Sequence, residues 1–270
     1  MQLSLGLADS KTRFVVLGSG SGGNVLVVQA GARRLMVDAG FSCREIESRL
    51  AKVDIDASGF DGLVVTHEHS DHSRGVQRFA KRHRVPVYAT EGTLKELGLE
   101  ENGFETHTLC SGVPEEIGDF LIEPFAVPHD AREPIGVVVQ DGKGNRLGLV
   151  ADLGSRSRLA WGRLVELDAL VLEANHDLEM LRSGPYPWPL KQRVASRHGH
   201  LSNREAADGI PELDTSRLQW VVLYHLSRTN NLPELASEVV GEAVDRAHSS
   251  AELCVTNQFE PTPWMVLAAR

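Results

Sequence analysis

The stretch Gly62-Leu63-Val64-Val65-Thr66-His67-Glu68-His69-Ser70-Asp71-His72 passes in one step from an apolar run to a dense set of metal donors. Three histidines and an aspartate fall within six positions, directly behind a β-forming segment. Imidazole suits Zn, Fe and Mn, and a carboxylate can complete or bridge a second site. A strand delivering a metal-binding loop explains this order better than a surface loop rich in histidine.

Four other apolar segments end in the same way. Asp38 closes Leu35-Met36-Val37, and His129 follows Phe125-Ala126-Val127-Pro128. Asp152 follows the run 147–151, and His225 follows Trp220-Val221-Val222-Leu223-Tyr224. Loops that leave strand ends carry function in α/β folds. Singly, each of these residues is an ordinary cap or surface group. Taken with the loop at 67–72, they predict a two-metal centre.

A chain of 270 residues can bury a substantial core. Residues 1–12 read as a loose lead-in, followed by strands over 13–17, 24–29 and 34–37, an antiparallel meander. Ser42 and Glu45 fit a capping box opening a helix to Lys52. The strand 62–66 feeds the histidine loop, with a helix over 71–84, a strand over 85–89 and a helix near 93–97. Strands then recur at 105–109, 120–128, 135–140 and 146–151. Beyond them come a helix over 156–166, a strand over 168–173, helices within 176–196 and a helix over 203–210. A strand over 219–224, a helix over 233–247 and strands over 252–256 and 264–268 complete the chain. Two successive halves with helices outside predict an α/β (α+β) fold, a four-layer αββα sandwich forming a single domain over 1–270.

The formal net charge of −9 argues against broad, non-specific coating of nucleic acid, while leaving room for a local basic groove. Cys43, Cys110 and Cys254 show no paired spacing and read as reduced thiols. No secretion signal and no apolar run of about 20 residues is present, so a cytoplasmic protein without membrane contact is expected.

In Asp38, the HxHxDH element at 67–72, His129, Asp152 and His225, the chain resembles the metallo-β-lactamase-fold hydrolases over nearly its whole length. The resemblance implies that His67, His69 and His129 hold one divalent metal. Asp71, His72 and His225 would hold a second, with Asp152 bridging. Asp38 would orient the histidine loop through hydrogen bonds. The metals would be Zn, Mn or Fe, and a metal-bound hydroxide would be the nucleophile.

The segments Glu173-Ala174-Asn175-His176-Asp177 and His198-Gly199-His200-Leu201-Ser202-Asn203 resemble elements of nucleic-acid-processing members, the tRNA 3′-processing endonucleases among them. On that analogy His200 is the general acid and Glu173 its orienting partner, acting with Asp71 in catalysis. The turn Gly18-Ser19-Gly20-Ser21-Gly22-Gly23-Asn24 and the segment 226–231 suggest a phosphate-recognising rim of Ser19, Ser21, Asn24, Arg228 and Asn230. The same segments, with Met180-Leu181 and Gly184-Pro185-Tyr186-Pro187, resemble the bacterial YycJ/WalJ-like subgroup. That similarity implies a phosphodiesterase, specifically a 5′→3′ DNA exonuclease. There is no room for an inserted clamp domain between Asp152 and His225, and no Gly/Pro-rich arm, which points to DNA more than RNA.

Arg132, Arg156, Arg158, Arg163, Lys191, Arg193 and Arg197 are candidates for tracking a nucleic-acid backbone. Tyr186 and Trp188 are candidate stacking surfaces, although a Pro-flanked Trp188 fits a loop anchor better. The alternatives are a phosphodiesterase for small cyclic nucleotides or ribosyl phosphates, and a non-catalytic regulatory protein on the same fold.

Overall fold

A computed structural model describes residues 11–268, so most of the expected lead-in, 1–10, lies outside the described residues. The chain opens with β1 (Thr12–Gly18), β2 (Val25–Ala30), β3 (Arg33–Val37) and α1 (Cys43–Lys52). Then come β4 (Gly62–Val64), α2 (Ser70–Ser73), α3 (Val76–His83), β5 (Val87–Ala89), α4 (Glu91–Glu96) and β6 (Thr106–Thr108). The middle holds β7 (Glu115–Ile117), β8 (Phe120–Ala126), β9 (Ile135–Gln140), β10 (Arg146–Val150), α5 (Arg158–Trp161) and β11 (Ala169–Glu173). The last part contains α6 (Leu178–Ser183), α7 (Trp188–Val194), α8 (Asn203–Gly209), β12 (Trp220–Tyr224), α9 (Pro233–Arg246), β13 (Glu252–Val255) and β14 (Met265–Val266).

Two seven-stranded sheets stack, in the orders β14-β1-β2-β3-β4-β5-β6 and β13-β12-β11-β10-β9-β8-β7. Alternation along each strand explains the four layers, because side chains of period two point to opposite faces. Phe14, Val16, Val171, Val222 and Tyr224 lie between the sheets. Val15, Leu17, Met36 and Leu63 face outward onto Ile46, Leu50 and Phe79 of the helices α1 and α3. Leu170, Leu172, Val221 and Leu223 face outward on the other sheet, onto Ala206, Ala236 and Val240 of α8 and α9. The expected αββα sandwich is what the structure contains.

Parallel pairing decides where the donors go. β10, β11 and β12 run parallel in register, so Asp152, Glu173 and His225 leave one sheet edge side by side. β3 and β4 also run parallel, so Asp38 and the histidine loop leave the facing sheet together. Asp38, Asp152 and His225 adopt positive φ values of 61°, 51° and 58°. Left-handed conformations on non-glycine residues cost about 1–3 kcal/mol each and persist where surrounding contacts over-determine them.

Several local expectations are corrected. The helix expected over 71–84 is two helices, because at Gly75 the chain presses on the 39–41 segment: its N–H donates to Ala39 O at 2.7 Å and a Cβ would lie 2.3 Å from Phe41 O. The helix expected over 156–166 stops at Trp161, before Gly162, and Leu164 and Leu167 turn into the core instead. The strand Glu115–Ile117, unexpected from its charged pair of glutamates, pairs antiparallel with β8. Trp188 anchors no loop: it opens α7 and is 67% exposed.

Gly40 ties the fold to the histidine loop. A Cβ there would sit 1.7 Å from Asp71 O and 2.5 Å from Asn24 N. Gly40→Ala must therefore push the loop away, and it should cost about 1–3 kcal/mol of stability, the range for overpacking. Thermal denaturation and elemental analysis of one preparation check this; an unchanged midpoint with unchanged metal content would refute it.

Candidate metal centre

Hydrogen bonds fix the histidine loop from below. The Asp38 carboxylate, fully buried, accepts from Thr66 N at 2.8 Å and from its hydroxyl at 2.9 and 3.0 Å. It also lies 2.7 Å from His72 Nδ1, which fixes that ring's tautomer with Nδ1–H donating. Asn24 N donates to Asp71 O at 2.8 Å, and Ala39 N to His72 O at 2.7 Å. The loop is thereby tied to the glycine-rich turn and to the segment after β3.

Above this base the donors gather into interlocking clusters, in each of which the ligand atoms lie within 4.8 Å of one another. His67, His69 and His129 make one; Asp71, His72 and His225 make another. Asp152 joins His67 and His72 in a third, and joins Glu173, His200 and His225 in a fourth. His129 Nδ1 donates to Gly199 O at 3.1 Å, which turns Nε2 towards His69 Nδ1 at 3.2 Å. His225 Nε2 lies 3.1 Å from Asp71 Oδ2.

A cation fits these donors on an observation internal to the site. His67 Nε2 and Asp152 Oδ2 are buried and make no hydrogen bond. His72 Nε2 sits 2.6 Å from that same Asp152 oxygen without hydrogen-bond alignment, while its Nδ1 proton goes to Asp38. The Asn24 amide nitrogen, a donor, is 3.1 Å from His72 Nε2, so that nitrogen presents a lone pair. Lone pairs converging in a buried space call for positive charge between them. The donor set of imidazoles and carboxylates suits a divalent metal.

The electrostatics follow from burial against charge. Burial pushes His67 well below its usual range, and the neighbouring His72 adds to this. Burial also depresses His129. In His72 burial is outweighed by Asp152 and Asp38, whose negative charge holds the ring well above its ordinary value; a cation between these groups would supply that positive charge in place of an Nε2 proton and leave the nitrogen its lone pair. His225 is likewise held up at about 9 against burial by Asp152, Asp71 and Glu173. Glu173 is fully buried, yet contact with His200 holds its carboxyl down to about 2.

Glu173 is the junction of the second sheet's loops. Its Oε2 accepts from Leu153 N at 2.8 Å and Leu201 N at 3.0 Å. Its Oε1 lies 2.7 Å from His200 Nδ1 and 3.2 Å from His225 Nδ1. His200 Nδ1 is also 3.0 Å from Asp152 Oδ1, and its side chain keeps 21% exposure in the mouth of the site. Nδ1 is thereby committed to these two carboxylates.

The donors open into a cleft of about 320 Å³ that includes Ser21, Asp71, His200 and, on α7, Leu190, Arg193 and Val194. Of the residues expected to form a phosphate rim, Ser21 lines this cleft. Ser19 and Asn24 do not reach it: both are buried, Ser19 Oγ donates to Asn24 Oδ1 and accepts from His225 N, and the Asn24 amide closes onto Gly20 O and Asp71 O. Asn230 is 1% exposed and turned inward beside α6, since its Oδ1 would lie 2.7 Å from a Cβ on Gly184. Arg228 is exposed and lies over the Phe259 ring.

Of the basic candidates, Arg193 lines the cleft, while Arg132 and Arg156 pair with Glu96 and Glu212. Asp130 escaped the sequence reading. Its carboxylate bonds Arg193 Nε at 2.6 Å and approaches His129 Nε2 at 3.4 Å, which clamps the arginine at the mouth. Its position directly after His129 was the available signal. Another cluster, Cys43, Glu47 and His83, lies between α1 and α3 with its donors bonded to one another.

The family model described as the beta-lactamase superfamily domain matches residues 33–225. The chain is 36% identical to the exodeoxyribonuclease YycJ of Bacillus anthracis, over 86% of this chain and 89% of the relative. It is 38% identical to the exodeoxyribonuclease WalJ of Streptococcus pneumoniae, over 83% of this chain and 85% of the relative. Among solved structures, the metallo-β-lactamase fold protein YhfI of Bacillus subtilis superposes with a TM-score of 0.72 at 16% identity, covering 93% of this chain and 99% of that one. The chain belongs to the beta-lactamase superfamily and, within it, is a YycJ/WalJ-like protein.

Added Zn or Mn should raise the thermal midpoint, since a cation at a hundredfold its dissociation constant adds about 2.7 kcal/mol. Asp152→Asn keeps the shape and removes the charge, and should abolish most of this rise while lowering the metal found by elemental analysis. A metal-dependent shift as large as the wild type's would show that Asp152 faces no cation.

Proposed function

We propose that this YycJ/WalJ-like chain of the beta-lactamase superfamily acts on DNA ends as a 5′→3′ exonuclease with two divalent cations. It is a metal-dependent nuclease, and single- or double-stranded nucleic acid is the substrate class. In this reading His67, His69 and His129 would hold one cation and Asp71, His72 and His225 the other, with Asp152 contributing its carboxylate to the pair. When bound, the cations supply Lewis acidity that activates water and neutralises phosphate charge.

The chain's own residues do the rest. His200 donates a proton from Nε2 to the departing oxygen of the phosphodiester. Glu173, bonded to His200 Nδ1 at 2.7 Å, holds the ring in the tautomer and direction this requires. That buried pair at the mouth of the donor cluster is the observation that carries the reading. Ester hydrolysis with a good leaving group needs no such acid, whereas a deoxyribose oxygen leaves poorly without a proton. Arg193, clamped by Asp130, and Ser21 on the glycine-rich turn both line the cleft, and in this reading they would meet a phosphate oxygen.

The relatives named as exodeoxyribonucleases match over most of their own length, which supports DNA over RNA. The free thiols Cys43, Cys110 and Cys254 fit a reducing, cytoplasmic setting. Among the described residues, no helix is long and apolar enough to cross a membrane.

An end-labelled duplex should yield a ladder of products shortened from the 5′ end. His200→Ala should lower turnover on DNA by about 10²–10⁴-fold. Its effect on bis-p-nitrophenyl phosphate should be far smaller, because p-nitrophenolate departs without a proton. Equal losses on both substrates would remove His200 as the acid, and activity confined to small esters or cyclic phosphates would sink the nuclease reading.

A further inference from the structure

A second cavity, of about 290 Å³, lies between the loop that follows His225 and the loop between β13 and β14. It shares the glycine-rich turn with the catalytic cleft: Ser21 lines the cleft and Ser19 lines the second cavity. Leu226, Leu232, Pro233 and Phe259 give it an apolar wall, Arg228 supplies positive charge, and no carboxylate is among its lining residues. Phe259 and Leu232 remain 61% and 48% exposed at the rim of this cavity. The Arg228 guanidinium lies 5.2 Å from the centre of the Phe259 ring.

This arrangement is held in place rather than left on a loose tip. Asn257 Oδ1 accepts from Phe259 N at 2.8 Å and Glu260 N at 2.9 Å, which fixes the turn that presents the aromatic ring. Ser227 Oγ accepts from Asn230 N at 3.1 Å and closes the turn that carries Arg228. The Gln258 amide accepts from Gly22 N at 2.6 Å and donates to Gly23 O at 2.9 Å. Phe259 is therefore registered against the same turn that walls the cleft.

We propose that this cavity is a nucleobase subsite, in which a base of the DNA strand end stacks on Phe259 while Arg228 pairs with an adjoining phosphate. The inference rests on the nuclease reading and adds to it the place where a neighbouring nucleotide is gripped. With Arg228 over one face of the ring, the other face of the 61% exposed Phe259 can take any base by its π surface while the guanidinium meets any backbone by its charge, so the grip is independent of sequence. An exonuclease that must advance through arbitrary sequence needs that kind of contact.

The test uses metal-loaded protein and single-stranded oligodeoxynucleotides with phosphorothioate linkages, read by fluorescence anisotropy, with one abasic position moved along the strand. Phe259→Ala should weaken binding about tenfold. Phe259→Trp should retain it, and Leu159→Ala, an exposed site lining neither cavity, should leave it unchanged. In the wild type one abasic position should cost the same tenfold, and in Phe259→Ala that position should cost nothing more. Equal affinity for the Phe259→Ala and Leu159→Ala proteins, or additive losses at every abasic position, would overturn the subsite. If wild type cleaves unmodified DNA and Phe259→Ala binds it as tightly, only the subsite fails; if wild type neither binds nor cleaves any oligonucleotide, the nuclease reading fails with it.

Discussion

Buried donors that cannot satisfy one another are the constraint on which this structure turns. Asp38, Asp152, Glu173, His72 and His225 are each no more than 3% exposed, and they crowd one edge of the sandwich. Burying a carboxylate without compensation costs several kcal/mol even after the protein relaxes. Asp38 is compensated by Thr66 and His72, and Glu173 by two backbone N–H groups and two imidazoles. Asp152 is compensated least: one oxygen meets His200 and His225, and the other faces the lone pair of His72. The fold leaves this oxygen and His67 Nε2 buried without a hydrogen bond, facing a space whose donors suit a cation.

The strained backbone at Asp38, Asp152 and His225 belongs to the same constraint. A strand delivers its last side chain to one face or the other, and neither direction points along the strand into the space beyond its end, where the donors gather. A left-handed residue at the strand end turns the chain abruptly and lets its side chain reach that space. Asp is among the residues that tolerate this conformation most readily, and His is also enriched there. The hydrogen bonds at the three positions therefore fix geometry as well as charge.

Much of this was legible in the sequence, for a physical reason. Short continuous apolar runs ending in an acid or imidazole locate strands and donors together, so the sandwich and the residues that converge in the structure could be read from 35–38, 62–72, 125–129, 147–152 and 220–225. What escaped reading depended on contacts distant in sequence. The break at Gly75 comes from the 39–41 segment pressing on it, and the short strand Glu115–Ile117 exists through its partner β8. Ser19 and Asn24 carry the chemistry of a phosphate loop, yet burial commits them to holding that loop against His225 and Asp71. Composition names the donors in a turn, and only tertiary packing decides whether they face inward. Asp130 shows the converse, an unremarked neighbour of a histidine that gains its role from Arg193, distant along the chain.

Glu173 carries the argument furthest from motif to mechanism. One carboxylate joins the loop after Asp152, the loop bearing His200 and the ring of His225. Groups that share a rigid, buried acceptor cannot shift independently, so His200 keeps its distance from the donor cluster whatever enters the cleft. Catalysis by positioned groups depends on such fixed geometry more than on any single contact. Placing that acceptor at the end of a central parallel strand, flanked by β10 and β12, gives it the most constrained backbone available in the second sheet. The rigidity of the sandwich is thereby transmitted to His200 through a single side chain.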